Sequence, residues 1–269
     1  MKLRVVVELM QQSGATELNR RRHLSYARAV ILLSLFATQS SVAQTRKSDR
    51  EFHQLYGAVK IVQTETAKLK GKAGKLVEGD RVLVTVEKYD RNGDLIESIF
   101  YHLGRPASRT VYNYDRRGDR EGRVYFPNLP GGVVVGQGVN VNADGSLSQR
   151  SKFKYDGEGR RIEETQYSSE DQPEFRQLIT YDASGRRQTV EAFEGKTLKY
   201  KSVSSYDSQG RLNERSKYDG KGRLTTKESF LEFDAHGNWT KSQAEKPANK
   251  NGKPDFVPDE VMHRTIAYY

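Results

Sequence analysis

Hydrophobic and polar positions alternate along short stretches of the chain, and turn-forming residues separate these stretches. In the segment 211–218, one set of alternate positions includes Leu212 and Tyr218, and the other set is wholly polar. A period of two predicts β-strands, and a polar face is typical of an antiparallel sheet that is wet on one side. We therefore assign the polar set to the outer face, which carries Arg211, Asn213, Arg215 and Lys217.

The turns carry a recurring motif, Tyr-Asp-x-x-Gly, with Phe in place of Tyr in the last copy. Aspartate bonds its own backbone two residues on, and glycine supplies a positive φ, so the motif predicts a turn. Degenerate copies at Tyr101, Val141, Tyr167 and Phe193 bring most spacings to about 12 to 15 residues. The aromatic and glycine positions are Tyr89 and Gly93, Tyr114 and Gly118, Tyr155 and Gly159, Tyr181 and Gly185, Tyr206 and Gly210, Tyr218 and Gly222, and Phe233 and Gly237.

One strand fits between each pair of turns, so the sequence predicts an all-β fold. The expected architecture is an antiparallel meander of repeated β-hairpins, whose twisted sheet curls into a partial barrel or shell. Strands are predicted at Val59–Thr66 and Arg81–Lys88, with a long turn at Lys68–Asp80 between them. Near the end of the chain, His263–Tyr269 returns as a closing strand.

An apolar run near the start of the chain predicts export. Ala29–Ala37 is too short to cross a bilayer as a helix, follows several arginines and precedes Ser41-Val42-Ala43. This pattern indicates a secretory signal peptide with a long n-region over residues 1–43, cleaved after Ala43; the alternative is a buried N-terminal helix. The expected location is periplasmic, extracellular or at the cell surface. The other predicted segments are a flexible lead 44–54, a repeat β-sheet domain 55–242, a Pro/Lys-rich loop 243–259 and a closing strand 260–269.

The composition narrows the classes of function. The chain is 35% hydrophobic and 30% charged, so a conventional enzyme with a thick aliphatic core is not the default interpretation. The absence of cysteine excludes disulfides, thiol catalysis and cysteine-based zinc sites. The net charge of +10 is spread over interleaved acidic and basic residues, which is typical of a solvated surface and predicts no nucleic-acid partner.

No motif predicts a catalytic, metal or cofactor site. The five histidines lack metal-ligand spacing, and we interpret Asp90–Asp94 as a turn instead of a calcium loop. The glycine-rich segment Pro130–Gly138 lacks the Lys-Ser/Thr of a phosphate loop and is interpreted as a hairpin. Trp239, the only tryptophan, is a candidate ligand contact that would stack on a sugar; packing within the fold is the alternative.

These residues resemble a known family. The Tyr-Asp-x-x-Gly-Arg-Leu unit is similar to the YD/RHS repeat of bacterial secreted and surface proteins. Together with the segments 55–80, 233–241 and 264–269, it resembles small exported YD-repeat-like proteins over residues 55–269. The resemblance implies a repeat β-architecture, and some YD-repeat proteins are associated with carbohydrate binding.

The favoured function is an exported, non-catalytic binding or scaffold module whose sheet face or edge binds a glycan or an envelope protein. No stable membrane span is expected after signal removal, and the oligomeric state stays open. The alternative is a secreted or periplasmic hydrolase whose carboxylates converge inside a curled sheet, and a third hypothesis is a weakly folded product without activity. A groove lined by Trp239 and tyrosines without paired carboxylates would favour binding, whereas two converging acids would favour hydrolysis.

Overall fold

The computed structural model describes residues 46–72, 75–116, 118–126, 147–167, 171–250 and 253–269. In this part of the chain, one short helix precedes an antiparallel sheet in which nearly every strand pairs with its neighbours in sequence. The predicted signal peptide with its cleavage residue Ala43, and the segment Pro130–Gly138, lie outside the described residues.

The described residues form one helix and a series of strands, and the motif turns lie between consecutive strands. The helix α1 is Asp49–Phe52. The strands are β1 Val59–Lys72, β2 Lys75–Glu78, β3 Val82–Tyr89, β4 Leu95–His102, β5 Arg105–Tyr114, β6 Arg120–Tyr125, β7 Leu147–Tyr155, β8 Arg161–Tyr167, β9 Pro173–Tyr181, β10 Arg187–Glu194, β11 Thr197–Tyr206, β12 Leu212–Asp219, β13 Leu224–Phe233, β14 Trp239–Lys250 and β15 Lys253–Tyr268.

The sheet closes on itself because β15 pairs with β14 on one side and with β1 on the other. Val62 of β1 lies opposite Ile266 of β15, and β1 continues to β3 on its other side. The result is a closed barrel of fourteen strands, from which β2 pairs only with the far end of β1. The predicted all-β antiparallel meander is confirmed, and its curl is complete.

Six of the seven motif turns lie at the same rim of this barrel. Successive turns of a meander alternate between its two ends, and the six turns are separated by two strands each. The turn after Tyr218 lies at the opposite rim, because it joins β12 to β13. We call the shared end the motif rim; its described residues are 90–94, 115–116, 118–119, 156–160, 182–186, 207–211 and 234–238.

The turn at Asp182 shows how the motif works. The Asp182 carboxylate accepts hydrogen bonds from Arg186 N at 2.9 Å and Arg186 Nε at 2.7 Å, while Gly185 has φ +74°. The guanidinium of Arg186 lies 4.5 Å from the ring centroid of Tyr206, the aromatic residue of the next motif copy on the rim. The hydroxyl of Tyr206 in turn donates to Arg187 O at 2.6 Å. The turn at Asp182 therefore ties its hairpin to the next one.

Three segment predictions are wrong. The lead 44–54 is not flexible where it is described, because residues 46–54 enter the barrel and include α1. The loop 243–259 and much of the turn Lys68–Asp80 are strands. The prolines of 243–259 are tolerated because pairing of β14 with β13 ends at Glu245, so the remaining two-stranded hairpin has open edges.

The assignment of Arg215 and Lys217 to the outer face is also wrong. Arg215 and Lys217 border an internal cavity, and Arg215 lies opposite the buried Glu228 in the β12–β13 ladder. The interior of a fourteen-stranded barrel is wider than side chains can fill, because closely packed interiors occur near eight strands. A polar face therefore does not identify the outside of such a barrel.

Candidate ligand site

Residues 46–58 cross the end of the barrel at the motif rim, and we call this segment the plug. Its backbone and side chains bond to turns and motif residues that are far apart in sequence. The contacts are Lys47 N to Gly159 O at 2.8 Å, Arg50 N to Gly93 O at 2.8 Å, Gln54 Nε2 to Tyr206 Oη at 2.6 Å and Tyr56 N to Asn238 Oδ1 at 2.7 Å. The plug therefore closes much of the lumen at this rim.

The single turn of α1 is stabilised locally by a capping box. The Ser48 side chain accepts from the backbone N–H of Glu51, and the Glu51 carboxylate accepts from Ser48 N at 2.9 Å. This reciprocal pair satisfies free donors at the start of the helix and lets a four-residue helix form. Asp49, the first residue of α1, contacts the barrel wall through Arg161 and Leu95.

Asp49 anchors the plug. Its carboxylate is fully buried and accepts hydrogen bonds from Arg161 Nη2 at 2.6 Å, Leu95 N at 3.1 Å and the Tyr114 hydroxyl. Burial alone would raise the pKa of Asp49, but the charge of Arg161 and the Tyr114 hydrogen bond hold that pKa well below its usual range. Asp49 is therefore ionised in the folded protein.

A cavity of about 200 Å³ lies beneath the plug. Its wall is made by the plug and by residues of the strands that begin or end at the motif rim. Cationic and aromatic side chains dominate the lining, and one carboxylate is present. The lining includes His53, Gln54, Leu55, Tyr56, Glu87, Arg187, Tyr206, Leu212, Arg215, Phe233, Gly237, Trp239 and Arg264.

Three arginines of this lining form a cluster that we call the arginine trio: Arg187, Arg215 and Arg264. Arg215 has one long contact to a carboxylate, at 3.4 Å from Glu228. Within the described part of the chain, the guanidinium groups of Arg187 and Arg264 make no ion pair and no hydrogen bond. The Nε atom of Arg264 is buried without a partner among these residues.

Burial and the charge of a neighbouring arginine lower the pKa values of two members of the arginine trio. Burial, followed by the nearby charge of Arg215, lowers the pKa of Arg187 to about 10. Burial lowers the pKa of Arg264 to about 10 as well, although the charge of Glu87 acts in the opposite direction. Both arginines are still protonated at neutral pH, so the cavity carries a concentrated positive charge.

A second cavity, of about 360 Å³, continues along the lumen on the other side of His53. It shares Arg187 and Arg215 with the first cavity, and Glu228 is its one carboxylate. Glu228 is engaged structurally, because it also accepts from Ser242 Oγ at 2.9 Å. Neither cavity brings two carboxylates together in its lining, which favours binding over glycoside hydrolysis.

His53 lies between the two cavities. Its Nδ1 is 2.7 Å from the hydroxyl of Tyr89, and that hydroxyl donates to Glu87 Oε2 at 3.2 Å. Burial lowers the pKa of His53, against the charges of Glu87 and Asp49. The imidazole is therefore neutral at pH 7, and it adds no charge to the cavity.

The structure places Trp239 in the cavity wall, but not as an open platform. The side chain is buried, with the guanidinium of Arg264 at 3.7 Å from its ring centroid and Phe230 packed against it at 5.3 Å. Trp239 nevertheless belongs to the lining of the cavity. Of the motif positions, Tyr206, Phe233 and Gly237 also line this cavity.

The other motif positions are distributed around the barrel. Tyr89, Tyr114, Tyr155 and Tyr181, with Gly93, Gly118, Gly159 and Gly185, lie at or beside the motif rim, as does Gly210, outside the lining of the first cavity. Tyr218 and Gly222 lie at the opposite rim.

Sequence reasoning missed the arginines, although the repeat contains a signal for one of them. For each of the six turns at the motif rim, the sixth residue after the motif aromatic is the first residue of the strand that follows the turn. These six residues are Leu95, Arg120, Arg161, Arg187, Leu212 and Trp239. We call them the inner ring. Arg264 and Arg215 lie outside this register, and no local pattern marks them.

Within the described residues, no group of three or more His, Asp and Glu side chains could hold a metal ion. In the same part of the chain, no helix has the length and apolar character needed to cross a membrane.

Comparison with known proteins gives distant structural similarities. No family model matches the chain, and no curated protein matches it. A porin-like protein from Bacteroides uniformis is 11% identical, covering 79% of this chain and 99% of its own, with a TM-score of 0.42. An outer membrane lipoprotein-sorting protein domain from Vibrio parahaemolyticus is 15% identical (79% and 86% covered, TM-score 0.36). A LolA superfamily protein from Nitrosomonas europaea is 13% identical (76% and 82% covered, TM-score 0.27). Similarity at this level carries no information about a ligand.

Proposed function

We propose that the chain is an exported, non-catalytic binding module that holds a small ligand or a glycan residue inside its barrel. The observation that carries the proposal is the cavity beneath the plug, lined by Arg187, Tyr206, Trp239 and Arg264. Export rests on the signal-peptide pattern that ends at Ala43.

The closed barrel favours a ligand in the lumen over a protein at a sheet edge. An open sheet offers unpaired N–H and C=O groups to a partner strand, and closure removes such edges. Pairing of β15 with β1 leaves the barrel wall without one, and the open edges of the β14–β15 hairpin carry prolines, which disfavour pairing with another strand. The cavities of about 200 Å³ and about 360 Å³ suit a small molecule or part of a glycan better than a folded partner.

The hydrolase alternative has weaker support. Glu87 and Glu228 are the single carboxylates in the linings of the two cavities, and each already accepts a hydrogen bond from a neighbouring side chain. A glycosidase needs one carboxyl group as acid and another as base or nucleophile on opposite sides of the scissile bond. The lining supplies no such pair.

The test is a ligand screen with a variant that fills the cavity. We would measure the thermal stability of the processed protein with glycans and peptidoglycan fragments, using wild type, Leu212→Trp and Leu231→Trp. Leu212 lines the cavity, whereas Leu231 is exposed on β13 and serves as the matched control. We expect at least one compound to stabilise wild type and Leu231→Trp but not Leu212→Trp, since a ligand of the folded state stabilises it by mass action.

Three outcomes would contradict the proposal. Stabilisation that persists in Leu212→Trp would place the ligand outside the cavity. Turnover of a glycan by the protein would support the hydrolase alternative. A screen without any bound compound, combined with specific cross-linking to one envelope protein, would support the scaffold function.

A further inference from the structure

The inner ring contains three arginines in equivalent positions of the repeat, and among the residues that the structure describes two of the three have a carboxylate partner. Arg120 bonds to Glu164 at 3.0 Å, and Arg161 bonds to Asp49 at 2.6 Å. Arg187 occupies the same position one hairpin further on, and in the described part of the chain no carboxylate pairs with it. Arg120 and Arg161 each pair with a carboxylate, whereas Arg187 lines the cavity beneath the plug.

Arg264 is in the same situation on another strand of the cavity wall. It reaches the lining from β15, stacks on Trp239 at 3.7 Å and leaves its buried Nε without a partner among the described residues. The lining of this cavity carries the arginine trio and one carboxylate, that of Glu87, so positive charge is in excess. Proteins rarely bury cations without a partner, because removing an ion from water is costly.

We infer that the arginine trio is a binding site for an oxyanion, either a carboxylate or a phosphate group, of the ligand that the barrel holds. This inference rests on the proposed function and specifies the chemical class of the ligand. The guanidinium groups supply the forked N–H donors that bind two oxygens of such a group. Phe233 and Trp239 border the same cavity and contact an apolar part of the ligand next to the anionic group.

The oxyanion would also relieve repulsion within the arginine trio. The charge of Arg215 disfavours the protonated forms of both Arg187 and Arg264, so a bound negative charge stabilises all three cations together. Arg120 pairs with the carboxylate of Glu164, and Arg161 pairs with that of Asp49. For the arginine trio, the ligand supplies the negative charge.

The probes are inorganic phosphate, benzoate and the uncharged benzyl alcohol. Titration calorimetry of the processed protein would compare wild type with Arg187→Met, Arg264→Met and the control Arg81→Met. Arg81 is exposed, and its nearest carboxylate oxygen is 3.9 Å away. We expect phosphate or benzoate to bind wild type and Arg81→Met, at least tenfold weaker binding to the two cavity variants, and no binding of benzyl alcohol.

Stability separates a binding role from a structural one. If Arg264 serves the ligand, Arg264→Met removes an unpaired buried cation, keeps an apolar contact with Trp239, and unfolds at the same or a higher temperature than wild type. A structural role predicts a lower unfolding temperature. A crystal structure of the wild type with 4-bromobenzoate tests the position of the anion without any substitution. We expect the carboxylate to lie against at least two members of the arginine trio, and a carboxylate elsewhere overturns the inference.

The glycan screen and the anion titrations together distinguish failure of this inference from failure of the proposed function. Stabilisation by neutral glycans that is lost in Leu212→Trp, without binding of either anion, would leave the binding module intact and overturn the oxyanion site. Failure of every glycan and every anion to bind would overturn both. Equal anion binding by wild type and both methionine variants would place the anion outside the arginine trio.

Discussion

The carboxylate of Asp49 lies 2.6 Å from Arg161 Nη2 inside the barrel, and both side chains are almost completely shielded from solvent. The guanidinium of Arg161 is held between two aromatic rings, 4.3 Å from the centroid of Phe52 and 3.8 Å from that of Phe153. Phe52 belongs to the plug and Phe153 to β7, so this one arginine connects the plug to the barrel wall. The ion pair is therefore the main polar anchor of the plug.

Removing the charge of Asp49 should destabilise the protein strongly. Asp49→Asn removes the nearer carboxylate partner of the buried Arg161, whose other carboxylate contact is Glu164 at 3.6 Å, and breaking a buried pair on one side typically costs about 3–5 kcal/mol. Chemical denaturation of the variant should show a free energy of unfolding lowered by this amount. The double variant Asp49→Leu with Arg161→Met should recover much of the loss, because neither charge is then left alone.

An exposed carboxylate–lysine cluster provides the control for this experiment. Asp259 pairs with Lys68 at 2.7 Å and with Lys246 at 2.5 Å, but the two lysine side chains are 60% and 59% exposed. Asp259→Asn should lower the free energy of unfolding by no more than about 1 kcal/mol, because exposed pairs contribute little. Equal losses in Asp49→Asn and Asp259→Asn would show that the plug is not anchored by Asp49.

The protein should lose stability on mild acidification because of His53. Burial is the largest influence on this side chain and lowers its pKa, although Glu87 and Asp49 oppose the shift. The unfolded chain, with a histidine pKa of about 6.5, then binds a proton more readily than the folded protein. Stability from this residue is fully present above about pH 6.5 and falls below it, by up to about 1.4 kcal/mol per pH unit.

His53→Gln separates this contribution from those of the carboxylates. Glutamine keeps a hydrogen-bonding side chain near Tyr89 but does not titrate. The free energy of unfolding should therefore fall more steeply in the wild type than in the variant between about pH 6.5 and 5. Parallel curves for the two proteins would show that His53 is not held neutral by the plug.

Much of the fold could be predicted because the turns are specified locally. Asp207 and Gly210 form their turn with residues no more than four positions away, so the motif alone predicts where the strands end. The closing strand near Tyr268 was also predictable from its apolar and β-branched residues. Closure itself depends on the register between β15 and β1, which are about 200 residues apart.

The plug and the lumen were not predictable by the same reasoning. Ser48 and Glu51 have the spacing of a capping box, so a helix start was detectable, but a polar segment gives no indication that Asp49 is buried. Alternation also fails to distinguish the two faces when the lumen is wide and polar. Arg215 was therefore assigned to solvent, although it lines the cavity.

The motif glycines should tolerate alanine poorly, even where space is available. Gly210 has φ +80°, and the nearest atom to an added Cβ is Arg186 Nη1 at an ordinary 3.6 Å. Gly210→Ala should lower the free energy of unfolding by about 1–2 kcal/mol through backbone strain alone. Gly71, in β1, has no atom within 4 Å of an added Cβ, and its φ is not positive.

Gly71→Ala is the control for this substitution, and urea denaturation is the measurement for both variants. We expect Gly71→Ala to be neutral or stabilising by about 0.5–1 kcal/mol, because alanine restricts the unfolded chain. A Gly210→Ala variant as stable as Gly71→Ala would contradict the requirement for a left-handed residue in the motif turn.

Two motif tyrosines should respond in opposite ways to loss of the hydroxyl group. Tyr181 donates to Arg161 O at 2.7 Å, linking two neighbouring hairpins, whereas the hydroxyl of Tyr155 is buried without a partner among the described residues. Tyr181→Phe should cost about 1 kcal/mol, because a hydrogen bond is lost. Tyr155→Phe should be neutral or stabilising, because it removes an unsatisfied polar group from the interior. Chemical denaturation of the two variants side by side tests this difference, and an equal loss in both would mean that the hydroxyl of Tyr155 makes a bond comparable to that of Tyr181.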